Sequence, residues 1–437
     1  MRSLIVENVR CFHTLQTAPL APLTFLVGEN SSGKSTFLAL VRVAWEVASG
    51  GGSVDFNEEP FLLGAFDQIA TYRGGRGGRA KSFSVGFLVE GELDDEERTI
   101  SSPIQVVGTF ESHNGQPRMS KWKLSAIGYE IEIIPATGQQ PAMLAVATPA
   151  GRVKSAHAAR FFGSRGIPLY EYLEFVIRET FLERQDGDPQ PQITEEDLGV
   201  YERMLNTLRR SIGTRPYAFA PIRTRPRRTY DPLKDTPEPE GSHVPLALAR
   251  MYSTAPEQWK QLRRQMEGFG TTAALFRRVD VRRMGQKDSD PFQLRVKIEG
   301  PAFNLVDVGY GVSQVLPIVV DSVSIDEHRT LLLQQPEVHL HPRAQAALGT
   351  FLGALVRSQR KRVIVETHSD FLLDRVRMDV RDGKVLGPDD VSILYFERRQ
   401  GKVKIHPIKI DAAGNVVGAP RSYRRFFLEE ERRHLGA

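Results

Sequence analysis

The chain has 437 residues, 41% hydrophobic and 25% charged, the balance of a folded protein large enough for two lobes. Its formal charge of +5 is too modest to argue for nucleic acid by itself, and no apolar run is long enough to cross a bilayer. Charges interrupt the first ten residues where a secretory signal needs its apolar stretch, and the single cysteine, Cys11, excludes an internal disulfide and a cysteine-based zinc site, so a cytoplasmic protein is expected.

The segment LIVENVR, residues 4–10, reads as a strand, and Leu23–Val27 as a buried one. Gly28-Glu29-Asn30-Ser31-Ser32-Gly33-Lys34-Ser35 follows, a G-x-x-x-x-G-K-S sequence, and then Thr36 to Trp45 with apolar spacing suited to a helix. Strand, glycine-rich turn and helix together make a phosphate site. The glycines let backbone N–H groups turn inward, and the helix N-terminus favours an anion. Lys34 brings a point charge to the β- and γ-phosphates, and the Ser35 hydroxyl can ligate Mg²⁺. Gly28, Asn30, Ser31, Ser32, Gly33, Lys34, Ser35 and Thr36 are the expected nucleotide contacts. The competing reading, a glycine turn beside a surface lysine, does not account for the flanking strand and helix.

SGGGS at 49–53 is a flexible break, FDQI at 66–69 precedes the loop RGGRGGR, and Phe83, Val85, Phe87 and Val89 alternate as in a half-buried strand. KWKLSAIGYEIEII and AMLAVATPAG extend an antiparallel β region. From about residue 168 to 212 the pattern is helical, in LYEYLEFVIRETFLER and EEDLGVYERMLNTLRRSI. DPLKDTPEPEGSHVP is a loop, and LALARMYSTAPEQWKQLRRQMEGF is helical around its proline. From residue 292, QLRVKIEG, TLLLQQPE and RVIVET are strands, PRAQAALGTFLGALVRSQ is a helix with Pro342 in its first turn, and another helix starts at Ser369. The phosphate loop and these later segments are expected to share one sheet, separated in sequence by a long insertion. Arginines gather at 223, 225, 227 and 228, at 277, 278, 282 and 283, and at 421, 424, 425, 432 and 433. They are candidates for DNA phosphates or, equally, for a solvated face or structural ion pairs.

Further motifs come in a fixed order. Gly309-Tyr310-Gly311-Val312-Ser313-Gln314 precedes an apolar helix, Leu331–Glu337 reads LLLQQPE, His339-Leu340-His341-Pro342 follows, and Glu366-Thr367-His368-Ser369-Asp370 closes the next strand. With FDQI, PIRTRPRRTY and PEGSHVP, this resembles the prokaryotic AAA/ABC-type ATPases of the OLD, RecF and SMC-like group, over the first 75 and roughly the last 140 residues. The resemblance implies an α/β fold, an ABC-type P-loop NTPase head with a mixed sheet flanked by helices and an inserted β/helical middle region. It divides the chain into 1–75, with phosphate loop and Q-loop; 76–300, the antiparallel β region and helical insertion; and 301–437, with signature, Walker B-like strand and switch histidine.

It further implies ATP and Mg²⁺ as ligands. Gln68 becomes the Q-loop residue that senses Mg²⁺ and the attacking water, His368 the switch histidine, and Gly311 and Ser313 the signature that meets the nucleotide of a second protomer. His339 and His341 could pair on zinc, but the resemblance makes HLHP a structural and dimer-contact segment instead. The chain departs from the family where Asp-Glu is usual, with Gln334 and Gln335. An amide cannot act as a base, so Glu337 is the expected water-activating carboxylate and Gln334 only a weak candidate for Mg²⁺.

The function implied is a slowly hydrolysing ATPase that forms a head-to-tail homodimer on ATP and acts as a switch in DNA repair or anti-phage defence. The chain lacks a convincing Asp-x-Asp pair, so an effector nuclease is expected as a partner. The alternative is a non-hydrolysing, nucleotide-dependent scaffold, which the two glutamines favour. A transporter subunit fits the inserted middle region poorly, and no Asn-Lys-x-Asp guanine motif supports a GTPase.

Overall fold

A computed structural model describes residues 2–50, 54–95, 98–137, 141–156, 173, 176–178, 193–231, 237–287 and 290–424. The chain divides into two compact units. The first holds residues 1–20, 29–215 and 396–406, the second residues 21–28, 216–395 and 407–437.

The chain starts with β1 (Arg2–Glu7), β2 (Gln16–Leu20), β3 (Leu23–Gly28), α1 (Lys34–Ser49) and the single turn α2 (Phe66–Ile69). Next come β4 (Ser82–Asp95), β5 (Arg98–His113), β6 (Gln116–Ala126), β7 (Tyr129–Ile134), β8 (Met143–Thr148) and β9 (Gly151–Ser155). In the first unit these build an eight-stranded sheet, β2-β1-β4-β5-β6-β7-β8-β9, antiparallel at every pairing. The antiparallel β region expected from alternation is therefore present. Phe56, Phe66, Phe83 and Phe110 interlock on it with ring centroids 5.0–5.6 Å apart.

α3 (Glu195–Ile212) forms because Thr194 caps it, accepting from the Asp197 N–H at 3.1 Å, and because acids fill its first turn and Arg209 and Arg210 its last. Its buried stripe, Leu198, Tyr201, Leu205 and Leu208 among others, packs with α1 over β4. The buried Trp122 donates its indole N–H to the Val47 carbonyl at 2.8 Å, serving an acceptor in the last turn of α1. The helix expected over residues 169–184 lies outside the described residues except at 173 and 176–178, and residues 51–53 of the SGGGS break are also outside them.

The second unit adds β10 (Tyr217–Phe219), α4 (Val244–Thr254) and α5 (Pro256–Thr272). The proline in this helical stretch opens α5 instead of lying inside one helix, as its missing N–H favours. β11 (Arg278–Arg283), β12 (Phe292–Lys297) and β13 (Ala302–Asn304) form a small antiparallel sheet. The remainder is α6 (Tyr310–Ser324), β14 (Thr330–Gln334), α7 (Pro342–Gln359), β15 (Arg362–Glu366), α8 (Asp370–Asp382), β16 (Val391–Arg399), β17 (Lys402–Ile410) and β18 (Val416–Val417). A seven-stranded sheet has the order β10-β14-β15-β3-β16-β17-β18, and its β10, β14, β15 and β3 run parallel. The strand that delivers the phosphate loop thus lies in one sheet with the late strands, as the sequence led us to expect. No helix among the described residues is long and apolar enough to cross a membrane.

Lys361 closes α6 from below. It is 1% exposed, and its Nζ donates to the Ser322 carbonyl and to the Ile325 carbonyl at 2.8 Å. Burial lowers its pKa from 10.5 to about 8, against the opposing pull of Glu327 and Asp326. Between those two values the unfolded chain holds the extra proton, so this group's contribution to stability rises with pH across that window. Relative to Lys361→Met, the wild-type chain is expected to gain stability from pH 8 to 10.5, by on the order of 3 kcal/mol at most. Parallel denaturation curves for the two proteins across that range would contradict this.

Candidate functional site

The phosphate-loop residues belong to the first unit from Glu29 onward. The backbone takes left-handed values at Ser31 (φ 59) and Gly33 (φ 91), and Gly33 is the N-cap of α1 with no side-chain cap hydrogen bond. The first-turn N–H groups of α1 are thus not capped by a side chain. A Cβ on Gly33 would lie 2.6 Å from the Cys11 Sγ and 3.1 Å from the Phe12 ring, so only glycine fits this entrance. Lys34 is 3% exposed and reaches back across the loop, its Nζ donating to the Glu29 carbonyl at 2.8 Å. Ser32 is fully buried, and its Oγ has no hydrogen-bond partner. Asn30, Ser31 and Ser35 are exposed. An orphaned hydroxyl, an inward lysine and an uncapped helix start fit a polyphosphate.

Thr36 is engaged otherwise. Its Oγ1 accepts from Arg10 Nη1 at 2.9 Å, and the same guanidinium donates to the Leu63 carbonyl at 2.9 Å and the Gln68 carbonyl at 3.3 Å. Arg10 therefore ties α1 to the Q-loop segment, a role sequence reasoning missed by reading residues 4–10 as one strand. β1 ends at Glu7, and left-handed Asn8 (φ 58) and Arg10 (φ 44) turn the chain. Gln68 is exposed, but its Oε1 accepts from the Ala65 N–H at 2.9 Å, so its amide caps its own turn. Burial pushes the Cys11 thiol up to about 11, which keeps it protonated and inert at neutral pH.

In the second unit the ends of β14, β15 and β3 lie side by side. Gln334 pairs with Glu366, and Glu366 with Leu26. The Gln335 N–H donates to the Glu366 carbonyl at 2.8 Å, and the Thr367 N–H to the Leu26 carbonyl at 3.2 Å, two residues before Gly28. Glu337 follows, 7% exposed. Its Oε1 accepts from the His368 N–H at 2.8 Å, while its Oε2 is buried without a partner. Burial raises the Glu337 carboxyl above the usual carboxylate range, opposed by hydrogen bonds from the His368 backbone and Thr367 and by the charge of Arg223.

Arg223 is the residue that the sequence misplaced among the surface arginines. It is 2% exposed, burial lowers its pKa to about 10, and its Nε and Nη1 have no hydrogen-bond partner. Its Nη2 lies 3.5 Å from the Gln334 carbonyl, and its own carbonyl 3.5 Å from the Gln314 amide on α6. No pattern in PIRTRPRRTY marks one arginine of four as buried. His368 is exposed, and Ser369 caps α8 by accepting from the Leu372 N–H at 3.1 Å while donating to Gln345 Oε1 at 2.6 Å.

The α6 N-terminus has Gly309 and Tyr310 exposed. A Cβ on Gly311 would lie 2.8 Å from the His339 carbonyl, so glycine permits this close approach, and the Tyr310 ring meets His339 edge-on at 4.9 Å. The Ser313 hydroxyl is turned back into the helix. Ser313 is 5% exposed, and its Oγ donates back to the Tyr310 carbonyl at 2.8 Å, because its position falls on the inward face of α6. His341 caps α7, its Nδ1 accepting from the Arg343 N–H at 3.3 Å. Among the described residues no group of three or more His, Cys, Asp or Glu side chains could hold a metal.

The arginine clusters are partly engaged within the unit. Arg228 pairs with Asp307 at 2.6 Å, Arg277 with Glu299 at 3.7 Å, Arg278 with Asp280, and Arg283 donates to Ser253. Arg425, Arg432 and Arg433 lie outside the described residues.

Residues 176–374 match the family described as "AAA domain, putative AbiEii toxin, Type IV TA system". No curated protein sequence matches the chain. Among solved structures, the SMC head bound to the C-winged helix domain of ScpA is similar with a TM-score of 0.44 at 11% identity, covering 94% of this chain and 98% of that chain. The SMC head domain from Thermotoga maritima has a TM-score of 0.40 at 11% identity, over 93% of this chain and 98% of that one. The Smc head domain with an extended coiled coil, bound to the C-terminal domain of ScpA and derived from Pyrococcus furiosus, has a TM-score of 0.43 at 11% identity, over 99% and 100%. The OLD-type subgroup is not singled out by these matches.

Gly33→Ala is expected to destabilise the protein by about 2 kcal/mol or more, from left-handed strain and collision with Cys11 together. Cys11→Ala in the same chain should recover the steric part and leave about 1–2 kcal/mol of backbone strain. Chemical denaturation of the single and double variants separates the two terms. Full recovery in the double variant would contradict the left-handed requirement.

Proposed function

We propose that this chain, whose residues 176–374 match an AAA-domain family, binds ATP with Mg²⁺, hydrolyses it slowly, and closes as a head-to-tail homodimer on ATP. In this reading the dimer is a switch acting with an effector nuclease in DNA repair or anti-phage defence. The observation that carries the nucleotide part is the loop itself, with Lys34 buried and turned across it and the Ser32 hydroxyl left without a partner. Backbone N–H groups between Gly28 and Thr36 hold the phosphates. Ser35 and Gln68, with Gln334 as the weaker third, are the residues that would hold Mg²⁺, which neutralises charge on the β- and γ-oxygens.

Glu337 takes the proton of the attacking water. Its burial supports this role by making it a stronger base than an exposed carboxylate. His368, exposed at the end of β15, donates to the charge that develops on the transferred group. Gly311 and Ser313 mark the signature segment, and the exposed N-terminus of α6 is the part of it that would meet the nucleotide of the second protomer. Ser313 serves there by fixing the first turn of α6 through its bond to Tyr310.

The scaffold reading keeps one support, the glutamines at 334 and 335 where carboxylates would hold Mg²⁺. Lys34→Ala should weaken ATP binding by about 100-fold or more in calorimetry. Glu337→Gln should keep that affinity and lower kcat by about 10²–10³. Unchanged turnover in Glu337→Gln places the base elsewhere, and no turnover in the wild-type chain favours the scaffold.

Arg223 is the charge that opposes the upward push on Glu337. Arg223→Met should therefore retain ATP binding and move the acid limb of the kcat profile to higher pH. An unmoved limb would show that the two groups are uncoupled.

A further inference from the structure

We propose that the loop at residues 72–79 of the first unit is a contact surface for the sugar–phosphate backbone of a nucleic-acid duplex. The proposal does not rest on ATP chemistry. The loop is closed at its base by the Tyr72–Arg79 bridge, and within it the Arg73 N–H donates to the Gly78 carbonyl at 2.8 Å. A Cβ at Gly74, Gly75 or Gly77 would meet nothing within 4 Å, so the loop leaves open space beside its backbone.

Several cations elsewhere in the unit are neutralised by acids. Lys121 and Lys123 on β6 and Arg152 on β9 pair with Glu132 and Glu130 at 2.5–3.5 Å, and Arg42 pairs with Glu58. In the loop the acceptors are neutral. Arg73 donates to Asn8 Oδ1 at 2.6 Å and the His13 carbonyl at 2.9 Å, and Arg79 donates to the Ala70 carbonyl at 3.0 Å. Among the described residues, none of Arg73, Arg76 and Arg79 forms an ion pair. Lys402 extends the patch, since it and Arg73 both add to the burial that lowers the His13 pKa. Guanidinium and ammonium groups held by neutral acceptors keep their full charge for phosphate oxygens.

A duplex is favoured over an unstacked strand. Tyr72 is 53% exposed, but the Arg79 guanidinium lies over its ring at 5.1 Å, which takes a face that a free base would need. The surface is then a phosphate-reading one, without base selectivity. In the second unit Arg228, Arg277 and Arg278 pair with acids, while the exposed Arg225 and Arg227 form no ion pair among the described residues and so serve as the comparison for charge alone.

The test is fluorescence anisotropy of the full chain with a labelled duplex DNA of roughly 30 base pairs, the same sequence as single strand, and the matching duplex RNA, from about 50 to 200 mM salt. Arg76→Ala with Lys402→Ala changes two exposed side chains that hold no structural hydrogen bond among the described residues. The double variant is expected to bind duplex about tenfold more weakly and to lose about 2 from the log–log salt slope. Arg225→Ala with Arg227→Ala, in the second unit, should bind as the parent does. ATP titration of each variant reports separately on the nucleotide site. The proposal is overturned if the wild-type chain binds neither duplex at about 50 mM salt, if the Arg76/Lys402 variant binds like the parent, if the loss appears in Arg225/Arg227 instead, or if single strand binds tighter than duplex.

Discussion

Parallel strands buried on both faces can do chemistry only at their ends. Leu331, Leu332 and Leu333 of β14, Val363 and Val365 of β15, and Leu23 and Phe25 of β3 are all fully buried. Buried positions along these strands admit few polar groups, such as Thr24 and Thr330, so the candidate polar residues gather where the strands stop: Gln334, Glu337, Glu366, Thr367 and His368, with Gly28 at the end of β3. The chain order of the motifs follows from this constraint. The phosphate loop, QPE and THSD each come directly after a hydrophobic strand.

Burial then sets the electrostatics. Glu337 and Arg223 are both nearly inaccessible, and each has hydrogen-bonding capacity left unmet. An unmet buried charge is costly, so such a pair is stable only while both partners remain or while a bound molecule completes them. Burial raises the Glu337 carboxyl, and hydrogen bonds from the His368 backbone and Thr367, with a smaller pull from Arg223, favour its ionised form. Under the proposed function, with amides at 334 and 335, Glu337 alone would carry what two carboxylates usually share, which suits a slow switch better than a motor.

The hydrophobic framework was legible in the sequence because periodicity reports burial directly. Leu331–Leu333 and Arg362–Glu366 were readable as strands, and G-x-x-x-x-G-K-S between strand and helix as a phosphate loop. What escaped was set by tertiary contacts. β5 was not singled out, since runs such as TISS and TFESH in it carry little apolar alternation and their pairing comes from β4 and β6. The burial of Ser313 was not readable, because a motif gives spacing but not which side of a helix is covered. Arg223 and Arg228 have the same local sequence character, yet one is buried beside Glu337 and the other pairs at the surface with Asp307. Arg10 joins three segments far apart in sequence, which no local pattern reports.

The central claim is that residues 28–36 hold the phosphates of a nucleotide. The measurement that tests it most directly is an experimental structure of the chain with Mg²⁺ and a non-hydrolysable ATP analogue. The account predicts the triphosphate cradled by residues 28–36, with Lys34 Nζ moved from the Glu29 carbonyl onto the β- and γ-phosphates. A nucleotide bound elsewhere, or a Lys34 that stays on the Glu29 carbonyl, would contradict it.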